Sequence, residues 1–165
     1  MRFYGNYPQL SSEEKLNVMN QHKTVWQDYA RARQTLLKSK IVRTYRAPEA
    51  EFSEWLVKIL YNGNINYNSN EKGFDLACHE KVIEVKSLSG NRVGKFGYTL
   101  TDEDKNNEIA THFVFVLFKE FVPEMIFEIE INEIRKFCKK HLGRSDLARI
   151  GKRIDTPGLL NIFSP

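Results

Sequence analysis

Three ionisable side chains stand close together in the stretch "GFDLACHEKVIEVKS", residues 73 to 87: Asp75, Glu84 and Lys86. If His79-Glu80 forms a two-residue turn, Phe74 faces Val85 and Leu76 faces Ile83 on one side of a β-hairpin. The other side then pairs Asp75 with Glu84 and sets Lys86 two positions along, because strand side chains alternate. Two carboxylates at cross-strand distance destabilise a sheet unless a cation joins them. Magnesium suits such a pair, being a hard ion that takes carboxylate, water and phosphate oxygens. An ion of this kind lowers the pKa of a bound water and neutralises charge developing on a phosphodiester. Lys86 is then placed to position or deprotonate that water and to stabilise the transition state. Two alternatives stay open at this point. The His-Glu turn lacks the Asn-Gly signal of a tight hairpin, so an odd loop would offset the carboxylates. The three residues also suit the wet face of a half-exposed hairpin joined by a weak ion pair.

The elements around the hairpin follow from periodicity and punctuation. Ser11 followed by Glu14 is a capping-box pattern. Leu16, Met19, Trp26, Tyr29, Ala30, Leu37 and Ile41 then give one apolar stripe to a long helix. Its basic end includes Arg43 and Arg46, which suit phosphate contact or a solvated helix terminus. Pro48 opens a second helix with apolar Phe52, Trp55, Leu56, Ile59 and Leu60, and Asn62-Gly63 stops it. Glu51 and Glu54 share a face of that helix. An Asn-rich loop leads to the hairpin, and a glycine-containing loop, "LSGNRVGKFGYTL", follows it. Thr101 caps a short helix. "THFVFVLFKE" reads as a strand buried on both faces, "EMIFEIEI" as a strand with one wet face, and "NEIRKFCKKHL" as a basic amphipathic helix. The last twenty or so residues carry no clear pattern. The predicted order is α, α, β-hairpin, short α, β, β, α, an α/β fold with a central mixed sheet flanked by helices.

This arrangement resembles the PD-(D/E)xK nuclease superfamily, the restriction-endonuclease-like fold. In that family a helix bearing a glutamate precedes a hairpin with an aspartate on its first strand and (D/E)-x-K on its second. Asp75 matches the aspartate, Glu84 and Lys86 in "EVK" match the half-motif, and Glu54 in "SEWLVKIL" matches the helical acid, with Glu51 as its competitor. Phe74 stands where the family's name has proline. The resemblance covers residues 49 to 87, and the following helix and strands by order only. It implies Mg²⁺-dependent hydrolysis of DNA phosphodiesters, with Mn²⁺ as a substitute and no small-molecule cofactor. The metal ligands it implies are Asp75, Glu84 and the Val85 carbonyl, with Glu54 helping a second ion or a metal-bound water.

Composition sets the remaining expectations. The chain has 165 residues, 41% of them apolar, which fits one domain: an N-terminal helical extension over 1–46, a catalytic core over 47–142 and a tail over 143–165. No apolar run approaches the roughly 18 residues of a membrane span and no signal peptide is visible, so a cytoplasmic location is the default. Two cysteines, Cys78 and Cys138, cannot form a disulfide framework of the secreted kind and are expected as reduced thiols; their pairings with His79 and His141 lack structural-zinc spacing. Residues 1–50 carry a balance of +5, residues 51–130 of −6 and residues 131–165 of +5. Basic flanks around an acidic centre suit a polyanion held at its edges, or ordinary solvated helix faces. Lys72, Ser87, Arg92 and Lys95 are candidates for backbone phosphate contacts, beside Arg43 and Arg46. His79 and His112 are expected to lie outside the chemistry, and Trp26 and Trp55 to pack in the core. A restriction or defence endonuclease is the leading expectation. The alternatives are a repair or recombination nuclease and a catalytically silent nucleic-acid-binding or assembly module on a nuclease-like scaffold. A palindromic duplex target would call for a twofold homodimer.

Overall fold

The computed structural model describes residues 12–43, 48–66, 73–89, 97–119, 122–137, 140–155 and 160. The chain divides into two compact units, 1–45 and 46–165. The expected N-terminal extension was 1–46, one residue longer than the first unit.

In the first unit, helix α1 spans Ser12–Lys38. It ends three residues before Ile41 because Lys40 takes a left-handed conformation, φ 58°. The Lys40 N–H bonds the Leu37 carbonyl and the Ile41 N–H bonds the Leu36 carbonyl, the pair of reversed bonds that closes a helix C-terminus. Arg43 therefore lies beyond the helix, exposed, rather than on its basic end.

The second unit is built on a six-stranded sheet in the order β1-β2-β3-β5-β6-β8. Helix α2, Pro48–Tyr61, leads into it and stops by the same device, with Asn62 at φ 51° and the Gly63 N–H on the Lys58 carbonyl. A Cβ at position 63 would sit 2.7 Å from Leu76 Cδ2, so any larger residue there would have to displace the buried Leu76 side chain. Strand β1, Asn64–Ile65, pairs antiparallel with β2, Leu76–Cys78, and β2 with β3, Lys81–Ser89. The hairpin pairs Leu76 with Ile83, Ala77 with Val82 and Cys78 with Lys81, so the turn is the two residues His79-Glu80. His79 supplies the positive φ, 35°, that such a turn needs at its first position.

After β4, Gly97–Thr99, and the four-residue helix α3, Asp102–Lys105, strand β5, His112–Lys119, runs parallel to β3. Strand β6, Val122–Glu130, returns antiparallel. Strand β5 is buried on both faces, as expected. Phe113, Phe115 and Leu117 join one buried cluster with Leu88, Phe127 and Ile134. Val114, Val116 and Phe118 join another with Leu56, Val57, Ile83 and Val85, against α2. Burying each such side chain contributes on the order of 1.5–3 kcal/mol.

Several elements differ from expectation. The helix predicted over 132–142 is only Ile131–Lys136, because Phe137 turns extended, φ −73° and ψ 112°. His141–Gly143 instead forms β7, which pairs with β4 in a separate two-stranded sheet and buries Leu142. The expected tail is part of the core: α5, Arg144–Ile150, packs Leu147 inward, and β8, Lys152–Arg153, adds an edge strand beside β6. Trp55 packs in the α2 layer as expected, 5.5 Å from the Phe52 ring. The Trp26 side chain lies outside the described residues. No helix among the described residues is long and apolar enough to cross a membrane.

Candidate functional site

The parity of β3 sorts its side chains by chemistry. Ile83 and Val85 face the α2 layer, so Glu84 and Lys86 face the other side, with Leu88 and the Phe113 ring. Asp75 joins them there, and the three line one cleft of about 420 Å³ with Gly73, Phe74, Tyr98, Thr101, Glu103, Asp104 and Asn107.

Asp75 does not simply face Glu84. Its N–H donates to the Ile83 carbonyl at 2.9 Å, one position off the regular ladder, and its Oδ2 accepts the Val85 N–H at 2.7 Å. The paired register ends at Leu76, so the expected like-charge conflict between Asp75 and Glu84 gives way to a carboxylate bound to backbone. On the entering side, Gly73 is left-handed at φ 107°, which favours glycine. Asn107 Nδ2 donates to the Gly73 carbonyl at 2.8 Å, and Asn107 Oδ1 accepts the N–H groups of Ile109 and Ala110. One side-chain amide thus ties the hairpin entry to the loop before β5.

Lys86 is the electrostatic centre of the cleft. Its Nζ donates to Glu84 Oε1 at 2.8 Å and lies 3.3 Å from Asp104 Oδ1, over the rings of Tyr98 and Phe113. Burial pushes the ammonium pKa down, but the Glu84 hydrogen bond and charge, with Tyr98 and Asp104, outweigh it and leave it raised. Asp104 is the third residue of the Thr101 capping box: its Oδ2 accepts the Thr101 N–H at 2.9 Å and the Thr101 hydroxyl at 2.8 Å. The Tyr98 hydroxyl donates to the same oxygen at 2.9 Å. Burial raises the Asp104 carboxyl, and the Thr101, Lys86 and Tyr98 contacts pull it below its ordinary value. Burial and the Asp104 carboxylate push Tyr98 up to about 12 against the opposing pull of Lys86, so the phenol stays protonated at neutral pH.

The remaining sequence candidates fall elsewhere. Glu54 and Glu51 are half-buried on α2, which packs on the Ile83 and Val85 side of the sheet, and neither lines the cleft among the described residues. Ser87 shares the parity of Val85, so it also points away from Glu84 and Lys86. This corrects the expectation that it borders the site. Arg43 belongs to the first unit. Arg46, Lys72, Arg92, Lys95 and Cys138 lie outside the described residues. His79 is at the turn and His112 contacts the Thr111 hydroxyl at 2.9 Å, both outside the cleft lining. Cys78 is half-buried against the α2 layer.

Tyr98, Asp104 and Asn107 were not singled out from the sequence. The available signal was Thr101 followed three residues later by an acid, which marks Asp104 as a helix cap but says nothing of Lys86.

Among the described residues, four carboxylates, Asp75, Glu84, Glu103 and Asp104, line the cleft against the ammonium of Lys86. This donor set fits a hard divalent cation in kind, since it offers carboxylate oxygens and a net negative charge. Among the described residues no three acid, histidine or cysteine side chains are already gathered for one ion. Comparison with protein-family models and with curated proteins finds no match for the chain.

Proposed function

We propose that this chain is a metal-dependent nuclease of the PD-(D/E)xK type that hydrolyses DNA phosphodiester bonds. The observation that carries the reading is the convergence of Asp75, Glu84 and Lys86 in one acidic cleft, placed there by the hairpin register and the parity of β3. In this reading Asp75, Glu84 and the Val85 carbonyl would hold Mg²⁺ or Mn²⁺. The ion, when bound, supplies an activated water and neutralises charge on the phosphate. The Val85 N–H fixes the Asp75 carboxylate, which orients it before any ligand arrives. Lys86, whose pKa Glu84, Tyr98 and Asp104 raise in the structure, would offer an ammonium to the phosphate oxygen that gains charge as water adds to phosphorus. The water oxygen bonds to phosphorus as one P–O ester bond breaks, and the proton that water gives up passes through solvent to the leaving oxygen. The mixed sheet with flanking helices is compatible with a restriction-endonuclease-like core, and a restriction or defence role is favoured over repair. Glu54 has no assigned step, because α2 packs on the opposite face.

A second reading is supported by the lack of a gathered three-ligand set among the described residues: a silent nucleic-acid-binding module on the same scaffold. One assay separates them. Supercoiled, linear and single-stranded DNA and RNA are incubated with the protein and Mg²⁺ or Mn²⁺, alongside Asp75→Ala and Lys86→Ala. The nuclease reading expects metal-dependent cutting of DNA that both substitutions abolish. Cutting that survives either one overturns the site, and metal-independent binding without cutting supports the silent module.

A further inference from the structure

We infer that Asp104 is the positioning residue for Lys86, holding its ammonium in the cleft when Glu84 turns to a cation. The inference rests on the nuclease reading and adds a residue to it.

In the structure Lys86 Nζ stands between two carboxylates, Glu84 Oε1 at 2.8 Å and Asp104 Oδ1 at 3.3 Å. The two anchors differ in rigidity. Asp104 is 5% exposed and its Oδ2 takes three donors, the Thr101 N–H, the Thr101 hydroxyl and the Tyr98 hydroxyl. Those bonds hold the carboxylate in place with Oδ1 3.3 Å from Lys86 Nζ, so little side-chain entropy is lost in holding the ammonium. Glu84 has a longer side chain, and in the proposed function its charge is shared with a cation. A cation at Glu84 weakens that oxygen's pull on Lys86 and repels the ammonium, so Glu84 as sole anchor would release Lys86 toward solvent. Asp104 supplies the second anchor from the α3 side, while the Tyr98 and Phe113 rings, 5.7 and 6.0 Å from Nζ, line its berth. Asp104 reaches the substrate only through Lys86, which makes its role positioning rather than catalytic.

The test reads the lysine ammonium directly. A held ammonium exchanges its protons slowly enough to give a ¹H–¹⁵N correlation at mildly acidic pH, and a solvated one does not. The Lys86 signal is identified by its loss in Lys86→Arg. It is expected in the wild-type protein, to persist in Glu84→Gln, and to vanish in the Glu84→Gln, Asp104→Asn double variant, with the backbone amide spectrum reporting the fold of each. Loss of the signal in Glu84→Gln alone, or its survival in the double variant, overturns the inference. Wild-type protein titrated with Mg²⁺ gives a version without substitution at Asp104: the Glu84 carboxyl ¹³C signal shifts while the Lys86 ammonium signal stays. A Lys86 signal lost as Glu84 shifts also overturns it. In cleavage assays Asp104→Asn is expected to lower kcat by about 10²-fold with little change in KM, the pattern of a misplaced group. If the wild-type protein cuts no nucleic acid, the nuclease reading fails, and the Glu84→Gln pair of spectra still decides whether Asp104 holds Lys86.

Discussion

The Asp75 carboxylate occupies the place of a backbone rung: its Oδ2 accepts the Val85 N–H at 2.7 Å, where the hairpin ladder has already ended at Leu76. The same side chain therefore has a structural duty and a proposed chemical one, and substitutions separate them. Asp75→Asn keeps an oxygen for the Val85 N–H, so its stability is expected within about 1 kcal/mol of wild type, whereas Asp75→Ala orphans that donor and costs about 1–3 kcal/mol. Both are expected to abolish metal-dependent cleavage. Urea unfolding beside plasmid cleavage makes the comparison, and an active Asp75→Asn protein would count against its role as a ligand.

The division of the sheet into two faces predicts which glutamate matters. Glu84→Gln, inside the cleft, is expected to lower cleavage by at least about 10²-fold. Glu54→Gln, on the helix packed against the opposite face, is expected to leave the rate within about tenfold, since loss of a whole catalytic group usually costs more. Rates measured at saturating Mg²⁺ compare the two, and equal losses would return Glu54 to the site.

Acid should weaken the fold through two carboxylates outside the cleft. Burial raises Asp155 and Glu128, but the Arg153 guanidinium and Ile126 N–H at the first, and Lys81 and Tyr61 at the second, bring both below their ordinary values. A carboxyl depressed in the folded state adds stability above its unfolded pKa, near about 4, and loses it as pH falls through the folded value. Unfolding midpoints are thus expected flat near neutrality and falling below about pH 4. Asp155→Asn keeps an acceptor for Ile126 and should make that fall shallower. An unchanged acid limb would remove Asp155 from the account.

Gly73 offers a test of the cleft rim. At φ 107° with Ile109 Cδ1 3.2 Å from any added Cβ, Gly73→Ala is both strained and crowded. A loss of about 1–3 kcal/mol is expected in chemical denaturation. A neutral result would mean that the Asn107 tie tolerates a different backbone at that point.

Much of the site was legible because strand parity is a local property. The alternation of Phe74, Leu76, Ile83 and Val85 put Glu84 and Lys86 on one side, but the pattern left the turn open, and it is His79 at positive φ that makes it two residues. What the pattern does not encode is a side chain replacing a backbone partner, so the departure of Asp75 from the ladder was invisible. Asp104 was readable only as a cap, because its pairing with Lys86 joins residues brought near by tertiary folding. The strands β4 and β7 are three residues each and pair across more than forty positions, too short for any period to register. The helical period through Leu142 misled for a related reason. Leu142 is buried, but by pairing opposite Tyr98 rather than by a continuing helix.

The alternation of β3 also makes the cleft intolerant of a change in counting. Seven consecutive residues of β3, Ile83 to Ser89, are in register with β5, and the first four alternate between apolar Ile83 and Val85 under α2 and charged Glu84 and Lys86 in the cleft. Deleting one residue between the turn and Glu84 would exchange the two sets: the acid and the ammonium would be driven beneath α2, and Ile83 and Val85 would surface in the cleft. The hairpin from Leu76 to Ser89 must therefore keep its residue count for Glu84 and Lys86 to reach the cleft.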